Sequence, residues 1–399
     1  MKREPLGQAT TPSATTEEFL PFSRPSISRE AIEEVVACLE SGWITTGPRT
    51  QRFEADLKTY LSAPHALALS SATAGLHLAL LALDLKPGDE VITTPMTFAA
   101  TLNTIVLAGG RPVLVDVEPH TYNMDATRLA HAITPRTRAI MPIHFAGLPV
   151  DLDAVYAIAQ QHGLRVIEDA AHAIGTEYKG KRLGSFGDVQ VFSFHPNKNM
   201  TTGEGGAITL RDDAMASRLG LLRFHGMDRE AWDRFGKKGN QHYEIVMPGF
   251  KYNMMDIQAA LGLHQLKALD GFIVRRTELA QRYQKLLQDW PQWTLPRAPA
   301  FAHRHAWHLF VPLINPDAAG MDRDAFMAGM KVRNIGTGLH YRAAHLYPYY
   351  RDNFGFKHGD FPVAETISDR IVSLPLFPGM TDADQDRVID AMRDLFKKS

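Results

Sequence analysis

The chain has 399 residues, 45% hydrophobic and 22% charged, with a formal net charge of -1. That length suits one large domain with an ample core plus a smaller one. Near-neutrality removes any electrostatic reason to expect nucleic acid or an anionic membrane as partner, and no apolar run reaches the roughly 18 residues of a membrane span. The single cysteine, Cys38, excludes an internal disulfide framework and fits a reducing compartment, so a cytoplasmic location is expected.

Residues 1–18 are polar, rich in Ser, Thr and Pro, and lack the apolar stretch of a signal peptide; they read as a disordered extension. Ile32, Val35, Val36 and Leu39 then recur at helical spacing, with Ser28 as cap and Gly42 as stop. From there to about residue 210, short apolar runs alternate with amphipathic stretches. The expected strands are Ala66–Leu69, Glu90–Thr93, Pro112–Asp116, Ala139–Ile143, Arg165–Glu168, Val189–Phe194 and Ala207–Leu210, and Thr73–Leu83 and Leu152–His162 are among the helices between them. Such alternation predicts an α/β domain built on a largely parallel sheet. A long helix over about Gln258–Trp290 leads to the Pro-rich stretch Pro291–Pro299 and then to mixed segments. The expected division is a large domain over 19–265 and a smaller α/β domain over 266–399.

Three segments carry the chemistry. In V-F-S-F-H-P-N-K-N (191–199), followed by T-T-G-E-G-G, Lys198 sits in an irregular loop after an apolar strand. A solvated surface charge is the ordinary reading of a lysine. Flanking strands and glycines point instead to one held in a cleft, where desolvation makes the amine a nucleophile able to form Schiff bases. No G-K-[ST] follows the glycines, so they are no P-loop. In V-I-E-D-A-A-H (166–172), Asp169 falls at the end of a buried strand, the edge where α/β sheets place ligands. Glu168 and Asp169 point to opposite sides of an extended chain, which makes a poor metal shell. A carboxylate facing a pyridine nitrogen explains the position better, because it keeps the ring protonated as an electron sink. His172 either bonds the ring's phenolic oxygen or is a structural histidine. In A-L-S-S-A-T-A-G-L (68–76), a strand runs through Ser70, Ser71 and Thr73 into a helix. That is an ordinary N-cap or, in company with the other two segments, a phosphate site at a helix N-terminus.

Together these segments resemble the sugar aminotransferases of the DegT/DnrJ/EryC1 family, within the fold-type-I pyridoxal-phosphate enzymes. The likeness runs from about Phe19 to near the C-terminus. Its marks are G-W-I-T-T-G-P (42–48), S-S-A-T-A-G (70–75), P-G-D-E-V-I (87–92), E-D-A-A-H (168–172), F-S-F-H-P-N-K-N (192–199), G-E-G-G (203–206), F-K-Y-N-M-M-D-I-Q-A-A (250–260), H-A-W-H-L-F (305–310) and S-L-P-L-F-P (373–378). The resemblance implies a seven-stranded, mostly parallel sheet flanked by helices, and pyridoxal 5'-phosphate as cofactor. It implies Lys198 as the Schiff-base lysine, Asp169 as partner of the pyridine nitrogen and His172 beside the ring oxygen. Ser71, Ala72, Thr73 and Ser193 would hold the phosphate, and Phe98 would stack on the ring. Asn253 would reach the phosphate from the neighbouring subunit of a homodimer with shared active sites. Trp43, Thr45, His340 and Tyr341 would meet the substrate, a nucleotide-linked keto-sugar aminated at the expense of L-glutamate, which leaves as 2-oxoglutarate. The stretches F-L-P-F-S-R-P (19–25) and N-I-G-T-G-L-H-Y-R-A-A-H (334–345) narrow the implied acceptor to a UDP-linked 4-keto-pentose, giving UDP-4-amino-4-deoxy-L-arabinose for lipid A modification. Phe98, where a tryptophan is expected, departs from that closer pattern, as do Pro196–Asn197 and Thr202–Gly203. A dehydratase on this scaffold would carry histidine in place of Lys198. The rival of another class is a regulatory protein that binds the cofactor without turnover.

The remaining histidines divide. In H-R-H-A-W-H (303–308), alternation along a strand would put His303 and His305 on one face and His308 on the other, so no metal is expected. His345, like His340, is a substrate-contact candidate or a surface residue. Met254 and Met255 read as core or dimer-interface packing.

Overall fold

The computed structural model describes residues 18–228 and 242–397. Of the extension expected over 1–18, only Glu18 lies within the described residues. The apolar runs form seven strands: β1 (His65–Leu69), β2 (Glu90–Thr93), β3 (Arg111–Leu114), β4 (Thr137–Ile140), β5 (Arg165–Asp169), β6 (Val189–Ser193) and β7 (Gly206–Leu210). They lie in the order β1-β7-β6-β5-β4-β2-β3. Every pairing is parallel except the two made by β7. The carboxyl ends of β1, β2, β5 and β6 therefore open on one edge of the sheet, where open α/β sheets bind ligands.

Both faces of this sheet are covered. Val189 and Val191 of β6 pack with Leu69, Ile167 and Ile208, whereas Phe192 packs with Phe53, Val166 and Leu263 on the other side. Two buried faces account for the near-continuous apolar runs, which show no alternation in sequence.

Six helices matter for the site: α1 (Arg29–Glu40), α2 (Pro48–Leu61), α3 (Ala72–Leu81), α4 (Ala99–Leu107), α5 (Leu152–His162) and α6 (Asp256–Leu287). Ser28 caps α1 by accepting the Ala31 N–H at 3.2 Å, and α5 stops at the left-handed Gly163. Helix α3 is buried from Ala74 to Leu80, as its all-round apolar sequence requires. It lies tight on β6 because Gly75 has no Cβ; one would meet Val191 Cγ1 at 2.6 Å.

Helix α6 belongs to two cores. Ala259, Leu263, Leu269 and Ile273 complete the core beneath the sheet, and Leu279, Tyr283 and Leu287 enter a second with Phe310, Phe326 and Ile389. The boundary expected at 265/266 thus falls inside a continuous helix. Between the two sets lies Arg276, fully buried, its Nη1 donating to the carbonyls of Trp307 (3.2 Å), His308 (3.2 Å) and Leu376 (2.9 Å). Burial lowers its guanidinium to about 10.

Candidate active site

The strand ends converge on an open cleft. Its wall includes Ser71, Ala72 and Thr73, Thr97 and Phe98, Asp169 and His172, Ser193 and Lys198, and His340 with Tyr341. Most of the sequence-predicted residues, 270 positions apart at the extremes, are thereby brought together.

Lys198 follows β6 in a tight turn, its N–H bonded to the His195 carbonyl at 2.9 Å. Burial lowers its amine from the ordinary 10.5 to about 8, and the Asp169 carboxylate partly opposes that shift. Asp169 ends β5. Burial raises its carboxyl, while hydrogen bonds from Thr101 and the Ala171 N–H, together with the charge of Lys198, pull the other way. Thr101 Oγ1 donates to Asp169 Oδ2 at 2.8 Å, so the contact of Thr101 with Thr97 Oγ1 at 2.7 Å makes Thr97 the donor there. The two threonines, one helical turn apart around the start of α4, aim the carboxylate. Sequence reasoning missed both; the i, i+4 spacing of Thr97 and Thr101 beside Phe98 was the available signal.

Glu168 points away from the cleft. It is fully buried and accepts from Tyr156 Oη (2.6 Å) and Gln190 Nε2 (2.7 Å), with His144 Nε2 at 2.8 Å. Among the described residues, no three His, Cys, Asp or Glu side chains are grouped to hold a metal ion.

At the other end of the cleft, Ser71 caps α3 by accepting the Ala74 N–H at 3.0 Å. The N–H groups of Ala72 and Thr73 open the helix without intrahelical partners. Gly206, the first residue of β7, passes directly beneath: a Cβ there would lie 2.5 Å from Ala72 N and 2.5 Å from Ser71 C. The N-cap is thus also a candidate anion cradle. The cradle, the buried amine of Lys198 and the buried carboxylate of Asp169 fit a phosphorylated pyridine aldehyde in donor chemistry and in placement around one cleft.

The structure places the remaining expected residues as follows, and it corrects the readings of His345 and of the 303–308 strand. Phe98 lies at the mouth of the cleft, 61% exposed, with its ring 6.0 Å from Tyr341. Trp43, Thr45 and Asn253 do not line this chain's cleft. Trp43 Nε1 donates to the Thr46 carbonyl, Thr45 accepts the Asp256 N–H, and Asn253 Nδ2 donates to Thr46 Oγ1 at 2.5 Å, which ties all three to the start of α6. His345 is buried against Glu365, Nε2 to Oε1 at 2.9 Å, away from the cleft. The 303–308 strand ends after Arg304, because Trp307 turns left-handed (φ 47°); His305 stacks on Trp307, and His308 packs 4.4 Å from the His172 ring. His340 does line the cleft, its Nδ1 2.8 Å from Ser373 Oγ, and burial lowers it to about 3.

Residues 25–393 match the DegT/DnrJ/EryC1/StrS aminotransferase family. The chain is 48% identical over 383 residues to the spore coat polysaccharide biosynthesis protein SpsC of Bacillus subtilis, covering 95% of this chain and 97% of that one. Among solved structures it resembles the PLP form of the putative sugar aminotransferase Spr1654 from Streptococcus pneumoniae, with TM-score 0.87, 32% identity, and 95% and 99% of the two chains covered. It also resembles Helicobacter pylori PseC, an aminotransferase of pseudoaminic acid biosynthesis, with TM-score 0.89, 29% identity, and 96% and 100% covered.

Proposed function

This chain belongs to the DegT/DnrJ/EryC1/StrS aminotransferase family, and we propose that it aminates a keto carbon of a nucleotide-linked sugar with L-glutamate as amino donor. It is a pyridoxal-phosphate-dependent sugar aminotransferase of fold type I. The observation that carries the site assignment is a buried amine, Lys198, and a buried carboxylate, Asp169, in one cleft whose far wall is a helix N-terminus. When bound, the cofactor supplies an amine carrier and an electron sink. Lys198 would hold the cofactor through its amine, and the same amine, neutral at its lowered pKa, would serve as the proton-accepting base of the cleft. Asp169, aimed by Thr101, would keep the pyridine nitrogen protonated. Ser71, Ala72, Thr73 and Ser193 would hold the phosphate, Phe98 would cover the ring and His172 would stand beside its oxygen. The low pKa of Lys198 serves both roles, since a neutral amine attacks and then accepts a proton.

We further propose a homodimer with shared sites. Lys198 is the sole lysine or arginine in the cleft wall among the described residues. A cofactor phosphate, a donor carboxylate and a sugar-nucleotide diphosphate need more positive charge and more donors than that. Ile32, Val36 and Leu39 leave a largely exposed apolar stripe along α1, and Met255 is 43% exposed beside Asn253, whose buried Oδ1 lacks a partner. These features support a second copy against this face, with Asn253, Trp43 and Thr45 serving its neighbour's cleft. The body around the second core is then the smaller domain.

For the acceptor, the N-I-G-T-G-L-H-Y-R stretch favours a UDP-linked 4-keto-pentose. A second reading, another 4-keto or 3-keto nucleotide sugar destined for a surface polysaccharide, is favoured by the 48% identity to a spore coat polysaccharide biosynthesis protein. Glutamate should convert the yellow enzyme to its amine form, and 3-keto and 4-keto nucleotide sugars offered to that form should be separated by mass spectrometry of the aminated product. Borohydride should fix the cofactor on Lys198. A label on any other lysine, or amination of no nucleotide sugar, would refute the reading.

A further inference from the structure

We propose that Tyr341 is the hydrogen-bond donor offered by this wall of the cleft to a ligand oxygen, and that His172 is a positioning residue that orients the Tyr341 hydroxyl. The inference deepens the aminotransferase reading and rests on it. Its starting point is a backbone contact: the Ala146 N–H donates to His172 Nδ1 at 3.3 Å. A ring nitrogen that accepts carries no proton, so in a neutral imidazole the proton sits on Nε2. Burial and the nearby Lys198 and His340 hold His172 well below its ordinary pKa, which keeps the ring neutral. Nε2 lies 2.9 Å from Tyr341 Oη, and the tautomer makes it the donor of that bond.

His172 has thus used both of its nitrogens, one accepting and one donating. Tyr341 has used one lone pair and still holds its own proton. No second protein partner meets its hydroxyl among the described residues, and the residue lines the cleft. Burial and the neighbouring Asp169 charge push its phenol up, so it stays protonated and can donate. The ring of His172 is held in place on several sides. His308 packs at 4.4 Å, Phe145 meets it edge-on at 6.2 Å, and Tyr341 itself stacks at 5.9 Å. The turn that supplies the Ala146 N–H is pressed against the same residue: a Cβ on Gly147 would lie 3.0 Å from the His172 carbonyl. Its direction therefore runs Ala146 to His172 to Tyr341 to the cleft. The acceptor is a ligand oxygen, either the cofactor's ring oxygen or the keto oxygen of the sugar.

A double-mutant cycle on the full-length enzyme tests this, with three readouts: the dissociation constant for pyridoxal phosphate, and the single-turnover rates with glutamate and with keto-sugar. Tyr341→Phe keeps the packing and removes the donor, and should weaken one readout by about three- to tenfold, the range of one neutral hydrogen bond. His172→Leu should cost a similar factor, and the double variant should be no worse than the larger single one. His172→Gln, which keeps one acceptor and one donor, should restore most of the loss. Weaker cofactor binding assigns the oxygen to the cofactor ring; a loss confined to the keto-sugar step assigns it to the sugar. Multiplying effects in the double variant, or no effect of Tyr341→Phe on any readout, would overturn the proposal. Borohydride labelling of Lys198 in the same samples separates such a failure from failure of the aminotransferase reading itself.

Discussion

Lys198 without its cofactor should behave as an amine far more reactive than a surface lysine. Its pKa near 8, against an ordinary 10.5, is set by burial and partly opposed by Asp169. At pH 7.5 about a quarter of such amines are neutral, against about one in a thousand at 10.5, so the gain in nucleophile is roughly two hundredfold. The sign follows from the depressed value: the free amine appears as pH rises through about 8. The same difference penalises the folded, cofactor-free protein by about 3 kcal/mol below pH 8, a penalty relieved as pH climbs toward 10.5. The perturbation of choice is Asp169→Asn. Without the carboxylate's support for the ammonium, the midpoint should fall below that of the wild type. Reductive methylation of cofactor-free protein with formaldehyde, followed by quantifying the Lys198 peptide across pH 6 to 10, reads this without requiring cofactor binding. In the loaded enzyme the same substitution should act oppositely and slow turnover. Asparagine cannot hold the pyridine protonated, and losing ~1.4–4 kcal/mol of that stabilisation predicts roughly 10- to 10³-fold. A wild-type midpoint near 10.5 would refute the burial argument, and a midpoint raised by Asp169→Asn would refute the pairing of the two groups.

Three further outcomes are expected. Thr101→Val should reduce turnover by about ten- to a hundredfold with little loss of stability, because a charge-assisted bond of about 1.5–3 kcal/mol no longer aims Asp169; unchanged kcat would make Thr101 merely structural. Gly206→Ala should weaken cofactor binding more than it lowers the melting temperature, since the new Cβ would sit 2.5 Å from the Ala72 nitrogen and must displace the cradle; an unaltered dissociation constant would place the phosphate elsewhere. Mixing Lys198→Ala with Asn253→Ala protomers should restore about a quarter of wild-type activity, because each mixed dimer keeps one intact site. Lack of rescue despite subunit exchange and an impaired Asn253→Ala parent would refute shared sites.

Much of the site was legible because its parts are local. Ser71 and Thr73 announce a helix start, Asp169 ends a strand, and Lys198 follows another within a few residues; periodicity and capping act over such distances. The same physics placed β2 (Glu90–Thr93) and α5 (Leu152–His162) at their observed limits. What periodicity could not choose was the partner of each side chain. His340 and His345 stand five residues apart in one motif, yet one reaches the cleft and the other is buried against Glu365. Thr101 reaches Asp169 across 68 positions, and Tyr341 reaches His172 across 169. Sequence alone pointed to the candidate groups and determined the family. Tertiary structure alone decided how those groups are aimed, because strand order and the path of α6 between the two cores bring distant residues into contact, and no local period encodes that crossing.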